Sequence, residues 1–243
     1  MNTTYGNIRC LHHVVRNIFA GNLKGMVIIY MQLTIREPGS AITHFIAWLM
    51  AVIAASPLLI KARSGTETVA LAIFAVSMIL LYGASTIYHS VTVSDKVLLV
   101  FKKLDHMMIF VLIAGSYTPV CLIVLGGKMG YTLLALVWAT AIAGMIVNAL
   151  WITCPKWFSS IIYIAMGWMC VLVFGPLLNT LSPAAFGWLL AGGIFYTVGG
   201  IIYALKLPVF NSLHKNFGSH EIFHLFVMAG SICHFIFMYR YVA

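Results

Sequence analysis

Charged residues are so sparse in this sequence that the intervals between them dictate what it can fold into. Only 8% of the 243 residues are Asp, Glu, Lys or Arg, and the intervals they leave approach the roughly 20 residues needed to cross about 30 Å of hydrocarbon. The interval between Glu37 and Lys61 holds one span, about 40–60, and that between Glu67 and Asp95 a second, about 69–91. A third runs from about 105 to 125, bent or ended near Pro119, and a fourth from about 130 to 151. From Trp157 to Leu205 the run is too long for one helix and carries the breaker pairs Gly175-Pro176 and Ser182-Pro183, so it divides into about 158–178 and about 184–205. The seventh span starts near Ser219 and ends before Arg240. The expected fold is all-α: a polytopic membrane protein built as a seven-transmembrane-helix bundle over residues 35–243, with residues 1–34 as an N-terminal extension.

Composition agrees, since 62% hydrophobic residues and a mean hydropathy of +1.02 give more apolar surface than a soluble domain can hide. The net charge of +9 comes from basic residues scattered singly or in pairs, without the patch of a nucleic-acid binder. That excess is a topology signal. An N-terminus in the cytoplasm puts ten Lys and Arg inside against four outside, which favours N-in, C-out in the cell membrane. The five cysteines form no C-x-x-C pair and suit small packing positions, and residues 1–30 lack the layout of a cleavable signal peptide.

The last span opens on His220-Glu221-Ile222-Phe223-His224. Histidines four apart lie about 40° from each other on a helix, so both rings can reach one metal ion. Span 7 begins on the side of the membrane where span 2 ends and span 3 begins. Parity therefore gathers His89, Asp105, His220 and His224 at one face, with Ser85 one turn deeper than His89. Three imidazoles with an open fourth position are the usual catalytic zinc arrangement, and Asp105 is placed to take or orient the water's proton. Ionisable groups at span ends ask for a pairing or a function.

Plainer readings stand beside this one. His44 and His214 read as interfacial residues, His234 as a packing or hydrogen-bonding residue, and His106 as facing away from Asp105. Asp105 could pair with Lys102 or Lys103 or cap span 3, and Ser85 alone could bond back to its own helix. His220 to His224 also spells H-E-x-x-H, in which Glu221 would be the general base of a metalloprotease. With Asp105 and His89 available, Glu221 is instead expected to serve the first turn of span 7.

Three runs in order carry a family resemblance: Gly83-Ala84-Ser85-Thr86-Ile87-Tyr88-His89-Ser90; Lys103-Leu104-Asp105-His106 leading to Tyr117-Thr118-Pro119; and Ser219-His220-Glu221-Ile222-Phe223-His224. With Arg36-Glu37-Pro38 and Thr43-His44 ahead of them, they resemble the hemolysin III group, the bacterial branch of the progestin and adipoQ receptor family. The resemblance covers about residues 35–243 and implies a seven-helix bundle with N-in topology and a zinc ion near the cytoplasmic face. It places the zinc histidines on His89, His220 and His224, the water-handling Asp on Asp105 and the family's Ser on Ser85. Kinship with adiponectin receptors and alkaline ceramidases implies hydrolysis of a membrane lipid amide or ester. The alternative is a non-enzymatic cytolysin, receptor-like or homeostatic protein with structural zinc. Members of this branch commonly begin only a few residues before Arg-Glu-Pro, so residues 1–30 read as an extension, with Met26 or Met31 as another possible start. No oligomeric state follows from the sequence.

Overall fold

The computed structural model describes residues 35–151, 155–205 and 217–243. The fold is all-α, and among the described residues seven helices are long and apolar enough to cross a membrane: α1 (Pro38–Ile60), α2 (Gly65–Ser90), α3 (Asp95–Leu125), α4 (Gly127–Leu150), α5 (Trp157–Thr180), α6 (Pro183–Leu205) and α7 (Ser219–Val242). Helices are what such runs must form, because hydrocarbon offers no partner to a free backbone N–H or C=O. Their outer faces stay apolar. Ile53, Leu172 and Ile60 are 65%, 70% and 80% exposed, as lipid-facing residues should be.

One boundary departs from expectation, and two proline signals are absorbed within helices, each for a local reason. α3 starts at Asp95, ten residues before the expected position, because a helix need not stop at the edge of the hydrocarbon and its charged first turns extend beyond it. Pro119 does not end α3. The chain continues through a π-helical stretch, Val120–Leu125, in which wider turns accommodate the missing donor. Gly175-Pro176 does not break α5 either. A 3-10 stretch, Trp168–Val173, leads into the α-helical turns Phe174–Thr180, so Pro176 falls in a first turn, where its missing N–H costs nothing. The break lies at Leu181 and Ser182, before Pro183.

The spans are not equivalent. Within the apolar stretch of each helix, 50% of α2, 56% of α3 and 44% of α7 is buried, against 17–22% for the others. α2, α3 and α7 therefore make the centre, and α1, α4, α5 and α6 lie around them. α2 packs on α1 and α3, α3 on α4, and α7 on α6 and α1. Small residues let helices approach. A Cβ on Gly144 of α4 would run into the Phe110 ring of α3, and one on Gly230 of α7 would lie 2.8 Å from the Tyr196 ring of α6. Buried hydroxyls add a polar stitch: Tyr82 of α2 donates to Ser231 Oγ of α7 at 2.6 Å, and Tyr196 of α6 meets the same oxygen at 2.8 Å. Cys121, Cys170 and Cys233 are free thiols.

Candidate metal centre and cavity

The C-terminal end of α2 and the N-terminal end of α7 meet at one end of the bundle, as parity requires. There His89, His220 and His224 offer ring nitrogens that all lie within 4.8 Å of one another. His89 Nε2 and His220 Nε2 are 3.2 Å apart. Two nitrogens bound at 2.0–2.1 Å to one tetrahedral ion would stand roughly 3.3 Å apart, so this pair already has ligand spacing. The donor set is three imidazoles, which suits zinc among the common divalent ions. His89 and His224 are 1% and 2% exposed, a depth that an imidazole cluster tolerates only with partners.

Those partners come from the start of α1. His89 Nδ1 is hydrogen-bonded to the carboxylate of Glu37, and His224 Nδ1 lies 3.3 Å from Thr43 Oγ1. Glu37 sits outside the spans, and its contact with His89 holds its carboxyl below the usual carboxylate range. His44 is a correction to the sequence reading. Expected at the interface, it is 3% exposed, faces the bundle interior and stacks on the His224 ring at a centroid distance of 3.5 Å, within 7° of parallel.

A cavity opens beside the histidines, lined by His220, His224, Asp105 and Ser85 at this end and reaching Trp168 and His234. Ten residues of α7 separate His224 from His234, so the cavity runs about 15 Å along the bundle. Its remaining lining is mostly aliphatic and aromatic. Ser85 Oγ is buried without a hydrogen-bond partner, so the reading in which it bonds back to its own helix does not hold. Asp105 is 8% exposed, and its carboxylate lies 3.6 Å from His106 Nδ1. His106 was expected to face away. Its ring instead turns back toward the preceding turn, where Nδ1 also meets the Lys102 carbonyl at 2.8 Å, the direction in which helical side chains lean. Lys103 donates to the Ala149 carbonyl at 2.6 Å rather than pairing with Asp105.

His234 fills the bonding role expected of it, with Nε2 3.2 Å from the Leu189 carbonyl. Glu221 is occupied: Oε2 accepts from the Gly218 N–H at 2.8 Å, fixing the first turn of α7, and Oε1 accepts from Ser40 Oγ at 2.5 Å. His214 lies outside the described residues, as do Cys10, Cys154 and residues 1–34. Sequence reasoning missed Glu37, Thr43 and His44 as parts of the site. Their signal was present in Arg36-Glu37-Pro38 and Thr43-His44, noted only as a lead-in to the first span.

The family model described as "Haemolysin-III related" matches residues 32–235, which takes in every residue of this centre. The chain belongs to that family. Among its relatives, "Hemolysin-3" of Bacillus cereus is 41% identical over 209 residues, covering 85% of this chain and 91% of the relative. "Hemolysin-3 homolog" of Bacillus subtilis (strain 168) is 39% identical over 206 residues, covering 83% and 92%. A shorter similarity, 37% over 60 residues, reaches the "Adiponectin receptor protein" of Drosophila melanogaster, covering 24% of this chain and 14% of that one. This haemolysin-III-related chain is thus a multi-pass membrane protein with a three-histidine group able to hold a metal ion.

Proposed function

We propose that this protein is a zinc-dependent hydrolase of membrane lipids, acting on an amide or ester bond from within the bilayer. One observation carries the reading. Three histidines close enough to share one metal ion stand at the head of an apolar cavity whose same end holds a buried carboxylate, Asp105, and a buried, unpartnered hydroxyl, Ser85. His89, His220 and His224 would hold the zinc. Bound there, zinc supplies Lewis acidity, which polarises a carbonyl and brings the loss of a proton from water toward neutral pH.

The chain's own groups supply the rest. Asp105 accepts the water's proton as the water oxygen bonds to the carbonyl carbon, the Ser85 hydroxyl donates to the carbonyl oxygen as negative charge builds on it, and Asp105 returns the proton to the amine or alkoxide that leaves as the C–N or C–O bond breaks. The apolar cavity takes the acyl chain and fixes the scissile bond against these groups while keeping bulk water out. Glu221 has no part in the chemistry, because both of its oxygens are engaged in fastening α7.

The test is incubation of purified, zinc-loaded protein with a panel of lipid amides and esters, followed by mass spectrometry. Release of a free fatty acid from one class, abolished in Asp105→Ala, supports the reading; an unchanged panel refutes it. Direct pore formation suits the residues poorly, since the spans are uniformly apolar and made for direct integration rather than insertion from solution. Discrete channels formed by the purified protein in a planar bilayer would overturn that view.

A further inference from the structure

Two residues at the start of α1 stand where they decide which nitrogen two of the three metal-facing imidazoles present. A neutral imidazole carries one proton on either nitrogen, and only the bare nitrogen can bind a metal. Glu37 and Thr43 are six positions apart, yet one contacts a histidine of α2 and the other a histidine of α7.

The carboxylate of Glu37 can only accept, so against it the proton of His89 belongs on Nδ1. That leaves His89 Nε2 bare, and Nε2 is the atom 3.2 Å from His220 Nε2. Thr43 repeats the arrangement. Its hydroxyl proton is directed to the carbonyls of Gly39 at 2.9 Å and Ser40 at 3.0 Å, so its oxygen is left to accept from His224 Nδ1.

The stretch is itself fastened on both sides. The Glu37 N–H donates to the His89 carbonyl at 3.0 Å, and Arg36 donates to the Tyr88 carbonyl at 2.8 Å while lying 4.3 Å over the Tyr88 ring. Arg36 also pairs with Glu37 at 3.3 Å. On the α7 side, Ser40 holds Glu221, the residue after His220.

We infer that Glu37 is a positioning residue for the metal: by fixing His89 as its Nδ1–H tautomer and holding the ring in place, it prepares Nε2 for coordination before the ion arrives, with Thr43 doing the same for His224. The inference deepens the metal reading above and rests on it for its consequence, but the tautomer itself needs no metal.

The test compares wild type, Glu37→Ala and Glu37→Gln. Zinc affinity measured by competition against a chelating dye should fall about 10–100-fold in Glu37→Ala, with full occupancy recovered at higher zinc. Glu37→Gln should lie close to wild type, because its amide oxygen still accepts from Nδ1–H. Nitrogen-15 spectra of metal-free, histidine-labelled protein should show His89 as the Nδ1–H tautomer in wild type and as a mixture in Glu37→Ala. Because that spectrum involves no ion, it decides the inference even if the zinc reading fails. The inference is overturned if His89 is the Nε2–H tautomer in wild type, or if Glu37→Ala binds zinc within twofold of wild type. It is equally overturned if Glu37→Gln is as weak as Glu37→Ala and both simply lower the thermal stability of the metal-free protein.

Discussion

Chelating zinc away from the purified protein should loosen the bundle by an amount that can be worked out in advance. His89 is on α2, and His220 and His224 are on α7, so one ion shared among them would join two of the three central helices. On the proposed reading the ion would bind the assembled helices and would find no preformed site once they separate. A ligand of that kind stabilises the folded state by RT ln(1 + [L]/Kd), about 4.1 kcal/mol when free zinc is about 1,000 times Kd. For a domain of this size each kcal/mol moves Tm by about 2–4 °C, so chelation should lower Tm by roughly 8–16 °C. A single site also fixes the slope. Above Kd, stability should rise by about 1.4 kcal/mol for each tenfold increase in free zinc, and no more steeply. The assay is thermal unfolding in detergent across a series of zinc concentrations set by a metal buffer. His89→Ala should flatten the curve. A wild-type Tm indifferent to zinc over the whole range, or a His89→Ala protein that follows wild type, would refute the assignment of these histidines.

Three further outcomes are expected. Asp105→Ala should keep about one zinc per chain by elemental analysis while lipid turnover falls by about 10²–10⁴-fold, the usual worth of a positioned proton acceptor; loss of the zinc together with the activity would show Asp105 to be a ligand instead. Gly144→Ala should cost about 1–3 kcal/mol in a denaturation assay, because its new methyl overlaps the Phe110 ring, and Phe110→Leu in the same chain should recover part of that cost. Reporter fusions should place the loops after α2 and α6 in the cytoplasm and the C-terminus outside, as the distribution of Lys and Arg demands; the reverse pattern would put the histidine cluster at the outer face.

The spans are legible in the sequence because charge is so costly in hydrocarbon that a handful of Lys, Arg, Asp and Glu residues mark where helices must leave it. The start of α3 is less legible. Asp95, Lys96, Lys102 and Lys103 read as loop, whereas the helix carries them on turns that stand clear of the apolar run. The histidine cluster is legible through parity, which depends only on the number of crossings. Its surroundings are not. Whether His44 lies at an interface or against His224 depends on how α1 is rotated about its axis, and the feebly one-sided apolar pattern of a lipid-facing helix does not encode that rotation. His106 illustrates a related limit: successive helical positions point about 100° apart, but a ring that swings back onto the preceding turn can still reach its neighbour's carboxylate.

The two hydrogen bonds of Glu221 carry a warning for anyone testing this site by mutation. Glu221→Ala would release the first turn of α7 and its tie to Ser40 at once, shifting the histidines on either side of it. On the proposed reading, lipid turnover would then fall for want of alignment, and the result would look like the loss of a general base. The same five letters that identify a protease in water would thus mislead twice, first in the sequence and then at the bench. Only a variant that restores the tie by another route, with the ion still seated, separates a fastener from a reagent.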